Sequence, residues 1–573
     1  MSIYALVAEL GRARARYGPG AADRKLALLV ALESQRARRA RQLLALHDHL
    51  LFLCAFPDDA RVRSAALRAL EGIAARVRGL SAGERAACAD SGLAGSISRH
   101  SFEAPIAAWL AARFGSDVDI DWTNYPDSSG LELLLGLVAR RAEQDALESV
   151  SLATRAWLRT ARGTAAGSDL AWLLGQLAQQ RPLTASWPGL YDHVAVPLRW
   201  RLRDGAGSTT RNLLPATRVE FRARGLRRPP ARPKRWITTP LATIERLDRG
   251  RAAVVLDVAR AALTARCREV YAISHGNLDE VYCADLGAGT ELVVIGVRPE
   301  RRLSLESNYG YLLLANGVPI GYGGVTPLYR QANTGINIFE PFRGSEAAFL
   351  WTQMLRAFHT LFGIERFVIS PYQFGSGNSE AIASGAFWFY DRLGFRPVDA
   401  RLRSLAARER LRLVTARRRT DPAMLRRLAT ADLELVLPGA RPRDRFPERW
   451  LEALSLRASE TLARAGGSSR PQAAQRVAAR VARALGVRDR GCWPRAEREA
   501  FAALAPLVAL LEPERLGVRA RRGLVRVMRA KGAAQEAPFV RAAVRDATLL
   551  PGLGATAQRS STLTIVRKYL RHK

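Results

Sequence analysis

Asn316 and Gly317 stand between two short apolar runs, residues 311–315 and 320–325. A two-residue turn that matches the twist of its strands needs positive φ at both central positions, and Asn-Gly supplies it with least strain. The dipeptide therefore commits the middle of the chain to an antiparallel hairpin. Neighbouring segments read as discrete elements. Residues 254–266 have helical periodicity, and ELVVIGVRP at 291–299 reads as a strand. After the hairpin come a strand at 335–339, a turn at 341–345, a helix at 347–362 and a strand at 366–371. A short helix at 385–393 ends on Gly394, which suits the left-handed position past a helix C-terminus. This order predicts a mixed α/β sheet with one parallel step across the 347–362 helix.

The flanks carry a different pattern. Residues 1–195 read as an α-helical region. Val62, Leu67, Leu70, Ile73 and Val77 share one helical face after the start signal Pro57-Asp58-Asp59, and Asp127 and Ser128 are placed to cap a long helix over 131–158. His47 and His49, two apart, point to different helix faces and do not suit a shared metal. Residues 196–250 change again: VPLRWRLRDG and TRVEFRARG alternate as half-buried strands do, and LRRPPARPKRW reads as a basic, proline-rich linker. Trp236 there anchors a domain edge or stacks on a base. Residues 406–573 return to Arg-rich helices, beginning at Thr420-Asp421-Pro422 and continuing around 447–465, 471–486 and 495–512, with a basic tail.

Together these give a multidomain α/β plus α chain, divided at 1–195, 196–250, 251–405 and 406–573. A length of 573 residues fits three or four domains. The net charge of +35 is carried almost wholly by arginine, since only Lys25, Lys234, Lys531, Lys568 and Lys573 are lysines. Such a field draws anions, so a carrier protein or a nucleic acid is the partner class it favours. The arginines are spread over every region, which points to a generally basic surface. Five dispersed cysteines without a CxxC pair argue against a disulfide framework or a zinc site. The first residues lack the order of a signal peptide, and the most apolar stretch, 43–56, is short and carries three polar residues. A cytoplasmic protein with no metal and no membrane association is expected.

The central segment resembles the GNAT acyltransferase superfamily over about 150 residues. NGVPIGYGGV is similar to the family's central hairpin, INIFEPFRGSEAAFLWTQML to its fourth strand, cofactor loop and following helix, and GAFWFYDRLGFRPV to the helix and strand of its tyrosine–leucine–glycine–phenylalanine signature. The resemblance implies a GNAT-like mixed sheet and acyl transfer from acetyl-CoA or another acyl-CoA to an amine on a small molecule or a protein. It implies that Arg343, Gly344, Ser345, Glu346, Ala347 and Ala348 form the pyrophosphate loop, where backbone N–H groups at a helix N-terminus receive phosphate. Glu346 departs from the family pattern, which has glycine there. A carboxylate in that cradle is expected to repel phosphate, which would favour a carrier-protein or aminoacyl-tRNA donor, or a non-catalytic scaffold. Alternatively, Glu346 is a first-turn acid that stabilises the helix N-terminus. Tyr390 matches the family's general acid, which protonates the leaving thiolate. Glu340 is the first candidate for general base and Glu380 the second; His275 and His359 are weaker. Ala383 replaces the asparagine often found seven residues before the tyrosine, and Asn378 lies upstream in a local insertion.

Overall fold

The computed structural model describes residues 2–125, 129–148, 152–179, 187–216, 218–416, 419–441, 445–466 and 469–562. Two sheets organise them. The smaller joins β1 (Ile97–Ser101), β2 (Val118–Ile120) and β3 (Pro197–Arg201) antiparallel, in the order β1-β3-β2. The larger has ten strands: β4 (Ile244–Arg246), β5 (Gly276–Gly287), β6 (Thr290–Val297), β7 (Tyr309–Ala315), β8 (Val318–Leu328), β9 (Gln331–Thr334), β10 (Asn337–Ile338), β11 (Arg366–Ile369), β12 (Arg396–Pro397) and β13 (Leu433–Val436). Its order is β12-β13-β11-β9-β8-β7-β6-β5-β4, with β10 pairing β8 off that path. Only β9 and β11 run parallel among the described pairs. The helix Ala347–Phe362 makes the crossover between them, as a parallel pair requires.

The Asn-Gly turn forms as its chemistry dictates. Asn316 (φ 48°) and Gly317 (φ 80°) both lie in the left-handed region and link β7 to β8. Gly317 is also required by contact, because a Cβ there would sit 2.0 Å from the Leu214 carbonyl oxygen. The Asn316 amide donates to the carbonyls of Ala55 and Glu220, so the hairpin tip is clasped by the N-terminal helices and by the preceding linker.

One hydrophobic core runs from the first helices through the large sheet into the C-terminal helices, and a second core serves residues 102–202 around the small sheet. A buried ionic group joins the sheet to the C-terminal helices. Glu280 on β5 accepts from the backbone N–H groups of Glu536 and Ala537, each at 2.7 Å, and from the Tyr309 phenol at 3.0 Å. Arg302 and Lys531 lie with Glu280 and Glu536 in this dry setting, two charges of each sign.

Several expectations meet a different local outcome. Strands β1 and β2 fall inside 1–195, where only helices were expected. The stretch 131–158 is broken into Ser129–Gly136, Gln144–Leu147 and Thr154–Arg162. Glu143 turns back to accept from the Arg140 N–H at 2.7 Å, starting a new turn there. Asp127, Ser128 and the tail at 566–573 lie outside the described residues. VPLRWRLRDG yields β3, but 218–225 forms no strand. Its inward positions are not all apolar: Arg222 is 4% exposed and is committed to a buried ion pair instead of a sheet. The strand expected at 335–339 is interrupted at Gly335 and Ile336, and β13 adds a strand within the C-terminal helical stretch. Trp236 is covered by the Arg356 guanidinium, 5.0 Å from its ring centre.

Candidate functional site

The parallel ladder between β9 and β11 is short. It pairs Gln331 with Arg366, Ala332 with Phe367 and Asn333 with Val368, and then stops. At Gly335 the chain bends away, and β10 pairs only with Tyr322 and Gly321 of β8. The Tyr311 phenol donates to the Gly335 carbonyl and holds the bend, while a Cβ on Gly335 would meet Gln373 at 2.7 Å. The two chains therefore diverge in the direction in which both strands run. A cavity of about 800 Å³ opens there, bounded by 336–341 on one side and by Gln373, Asn378 and Glu380 on the other.

The loop 343–348 closes one end of this cavity. Phe342 anchors it, packed edge-on to Phe56, just past the helix Ala40–Ala55, with ring centres 6.3 Å apart. Arg343, Gly344 and Ala347 line the cavity. Arg343 is ion-paired to Glu380 at 2.5 Å, and both side chains are largely exposed. The Ser345 hydroxyl is screened from solvent without a hydrogen-bond partner, and Ala348 packs against the core. The first N–H groups of the 347–362 helix have no intrahelical partners and carry its positive end.

Glu346 is turned the other way. Its side chain is fully buried and does not line the cavity. Arg227 donates to it three times, from the backbone N–H at 3.0 Å, from Nε at 2.9 Å and from Nη2 at 2.6 Å. Arg222 Nε stands 3.2 Å from Oε1 of the same carboxylate. Arg227 comes from the segment expected to be a basic linker, and Arg222 from the stretch expected to form a strand. A buried carboxylate with two guanidinium partners is neutralised locally, so it does not oppose an anion in the cavity.

Tyr390 lines the cavity from the helix Ala386–Arg392 and is 2% exposed. Trp351, Phe389 and Phe395 hold its ring edge-on. Burial pushes its phenol well above the ordinary tyrosine range, partly offset by the Ile336 N–H that faces it. Glu340 lines the same cavity and is exposed. Asn378 also lies there, with Oδ1 accepting from the Ala381 N–H at 3.0 Å to cap Ser379–Ser384. The two histidines do not line the cavity. His275 lies beside Arg298, with a pKa lowered to about 4 by burial and by neighbouring arginines, and His359 Nδ1 lies 2.7 Å from the Ile364 carbonyl past the helix C-terminus.

The far wall was not anticipated. The helix Ala40–Ala55 presents His47 and Asp48, a later loop presents Asp90, and Arg266 and Arg268 complete the wall beside Tyr322. His47 Nε2 is 3.2 Å from Thr210 Oγ1, while His49 Nδ1 meets Arg14 at 3.2 Å, so the two imidazoles face different neighbours. Among the described residues no group of three His, Cys, Asp or Glu is placed to hold a metal ion. No described helix is long and apolar enough to cross a membrane.

No protein-family model, curated protein or solved structure matches the chain.

Proposed function

We propose that this chain is a GNAT-type acyltransferase that moves an acyl group from acetyl-CoA or a related acyl-CoA to an amine by direct attack. One observation carries the reading: the parallel ladder of β9 and β11 stops short, and the segments that follow each strand border one cavity with a buried tyrosine and a helix N-terminus. On this reading the N–H groups of the 343–348 loop receive the donor's pyrophosphate, where the helix end favours negative charge. The space over Gly344 is open, with no atom within 4 Å of where a Cβ would stand. Arg343 borders the same cavity, where its charge is shared with Glu380. Tyr390 serves as general acid toward the departing thiolate; a phenol carries its proton at neutral pH, as that role requires. On this reading Glu340, one of the carboxylates lining the cavity, accepts the amine's proton.

The buried pairing of Glu346 favours a CoA donor over the carrier-protein or aminoacyl-tRNA alternatives, because the local charge that would disfavour free CoA is cancelled. An open cavity likewise favours a transferase over a scaffold.

The test is calorimetric titration of the full chain with acetyl-CoA, CoA and ATP, at low and high salt. Micromolar acetyl-CoA binding that survives high salt and exceeds ATP binding is expected. Weak binding that ATP shares, and that salt abolishes, would leave only nonspecific attraction of phosphate and refute the proposal.

A further inference from the structure

Arg266 follows the helix Arg249–Thr264 and lines the 800 Å³ cavity. Its guanidinium carbon lies 3.9 Å from the centre of the Phe339 ring, and Phe339 is stacked on Tyr322 at 5.2 Å. A guanidinium offers five N–H donors. Among the described residues the Arg266 side chain makes one hydrogen bond, from Nη1 to the Ala262 carbonyl of the helix it follows, at 2.8 Å. Among the described residues no carboxylate comes within ion-pair distance, and Asp48 acts on it only from further away.

Other arginines in the interior have other partners. Arg222 and Arg366 are paired with Glu346 and Glu434. Arg76 and Arg260 have no carboxylate partner but donate to the carbonyls of Leu32 and Glu33, and of Ile273 and Ser274. Arg266 instead lies over an aromatic ring and lines a cavity, with most of its donors not engaged by the described residues. A guanidinium so placed suits anion recognition. Arg268, two residues on, is exposed and lines the same cavity.

On the acyltransferase reading the donor's phosphates take the 343–348 loop. Arg266 instead lies where β10 meets Tyr322 of β8. The same wall carries Asp48 and Asp90, which offer a counter-charge to an ammonium. We infer that Arg266 and Arg268 bind an anionic group, a carboxylate or a phosphate, on the acceptor amine, so that the acceptor is zwitterionic. That the bound molecule is an acyl acceptor rests on the acyltransferase reading; the anion site does not.

The full chain, with Arg266→Met and Arg268→Met variants checked for folding by circular dichroism, is titrated calorimetrically in phosphate-free buffer. The titrants are O-phosphoethanolamine, β-alanine, uncharged-tail ethanolamine and acetyl-CoA. One anionic probe is expected to bind the unaltered chain better than ethanolamine, and which one does so distinguishes phosphate from carboxylate. Arg266→Met should weaken that probe about ten- to a hundredfold, as loss of a charge-assisted pair does, with acetyl-CoA affinity unchanged. Anionic probes no better than ethanolamine would overturn the inference. So would competition between probe and acetyl-CoA on the unaltered chain, or an equal loss of acetyl-CoA affinity in Arg266→Met, since either gives Arg266 to the donor. Should Arg266→Met not fold, the competition titration and Arg268→Met still decide. Probe binding that Arg266→Met or Arg268→Met weakens, in a chain that binds no acetyl-CoA, would sustain the anion site and overturn the acyltransferase reading alone.

Discussion

Glu346→Gln removes one charge from a buried group of three and leaves Arg222 and Arg227 facing a neutral amide. Arg222 is 4% exposed, and its remaining fixed partner is the Ala288 carbonyl at 2.6 Å. Removing one member of a buried ion pair costs about 3–5 kcal/mol, because the partner charge stays desolvated. The loss here should sit toward the lower figure, since Arg227 keeps bonds to Gly287 and Thr290 and is partly solvent-exposed. Unfolding entropy of about 2.1 cal/mol/K per residue gives roughly 1.2 kcal/mol/K for a chain of this length, so the melting temperature should fall by about 2–4 °C. Scanning calorimetry of Glu346→Gln beside Glu346→Gln/Arg222→Met is the assay. The double variant should recover part of the loss, because it removes the stranded cation as well. Affinity for acetyl-CoA should not improve. A Glu346→Gln protein as stable as the unaltered chain, and binding acetyl-CoA more tightly, would mean that the carboxylate faces the phosphates and not the two arginines.

Tyr390→Phe should lower kcat about 10²–10⁴-fold while leaving donor KM nearly unchanged, since the phenol acts on the leaving group and not on binding; thiol release from acetyl-CoA measures it, and equal rates in the two forms would take Tyr390 out of the chemistry. Glu269 gives a pH-dependent prediction. Its carboxyl, buried beside Glu103 and Asp192, titrates at about 7 instead of near 4.5. A raised carboxyl pKa means that the fold prefers the protonated form, so its contribution is full below about 4.5 and is lost as pH rises toward 7. Glu269→Gln should therefore stabilise the protein at pH 8 by up to about 3 kcal/mol, reduced by solvent screening, and have little effect at pH 4. Denaturant titrations at the two pH values check this; an equal gain at both would exclude titration as the cause.

The elements legible in the sequence were those whose signal is local. Asn316-Gly317 needs no distant partner to require its turn, the helix Ala347–Phe362 begins and ends where its apolar pattern does, and Gly394 takes the left-handed φ of 97° that a helix stop needs. The near wall of the site, from Glu340 through Ala347 to Tyr390, was legible for the same reason: it lies within one contiguous stretch of strand, loop and helix. What was not legible depends on contacts between residues far apart in the chain. β13 at 433–436 pairs with β11 some seventy residues away, and nothing in LELV marks its partner. The gap at Gly335 escapes detection because the two-residue pairing of β10 leaves no periodicity to read.

The charge at Glu346 shows the limit most clearly. Read locally, a carboxylate in a phosphate loop is a defect. Its meaning reverses once Arg222 and Arg227, about 120 residues upstream, are brought against it, since the same group then tethers the linker to the N-terminus of the 347–362 helix. The far wall of the cavity is assembled in the same long-range way. His47, Asp48, Asp90, Arg266 and Arg268 come from three separate segments, two of them in the helical flank that carried no evident chemistry. Periodicity explains why the helix Ala40–Ala55 is amphipathic, but not which of its polar residues borders a cavity. The helix Ala40–Ala55 therefore borders the candidate site. Substitutions at Asp48 should alter acceptor use while sparing donor binding, whereas substitutions in the 343–348 loop should do the reverse.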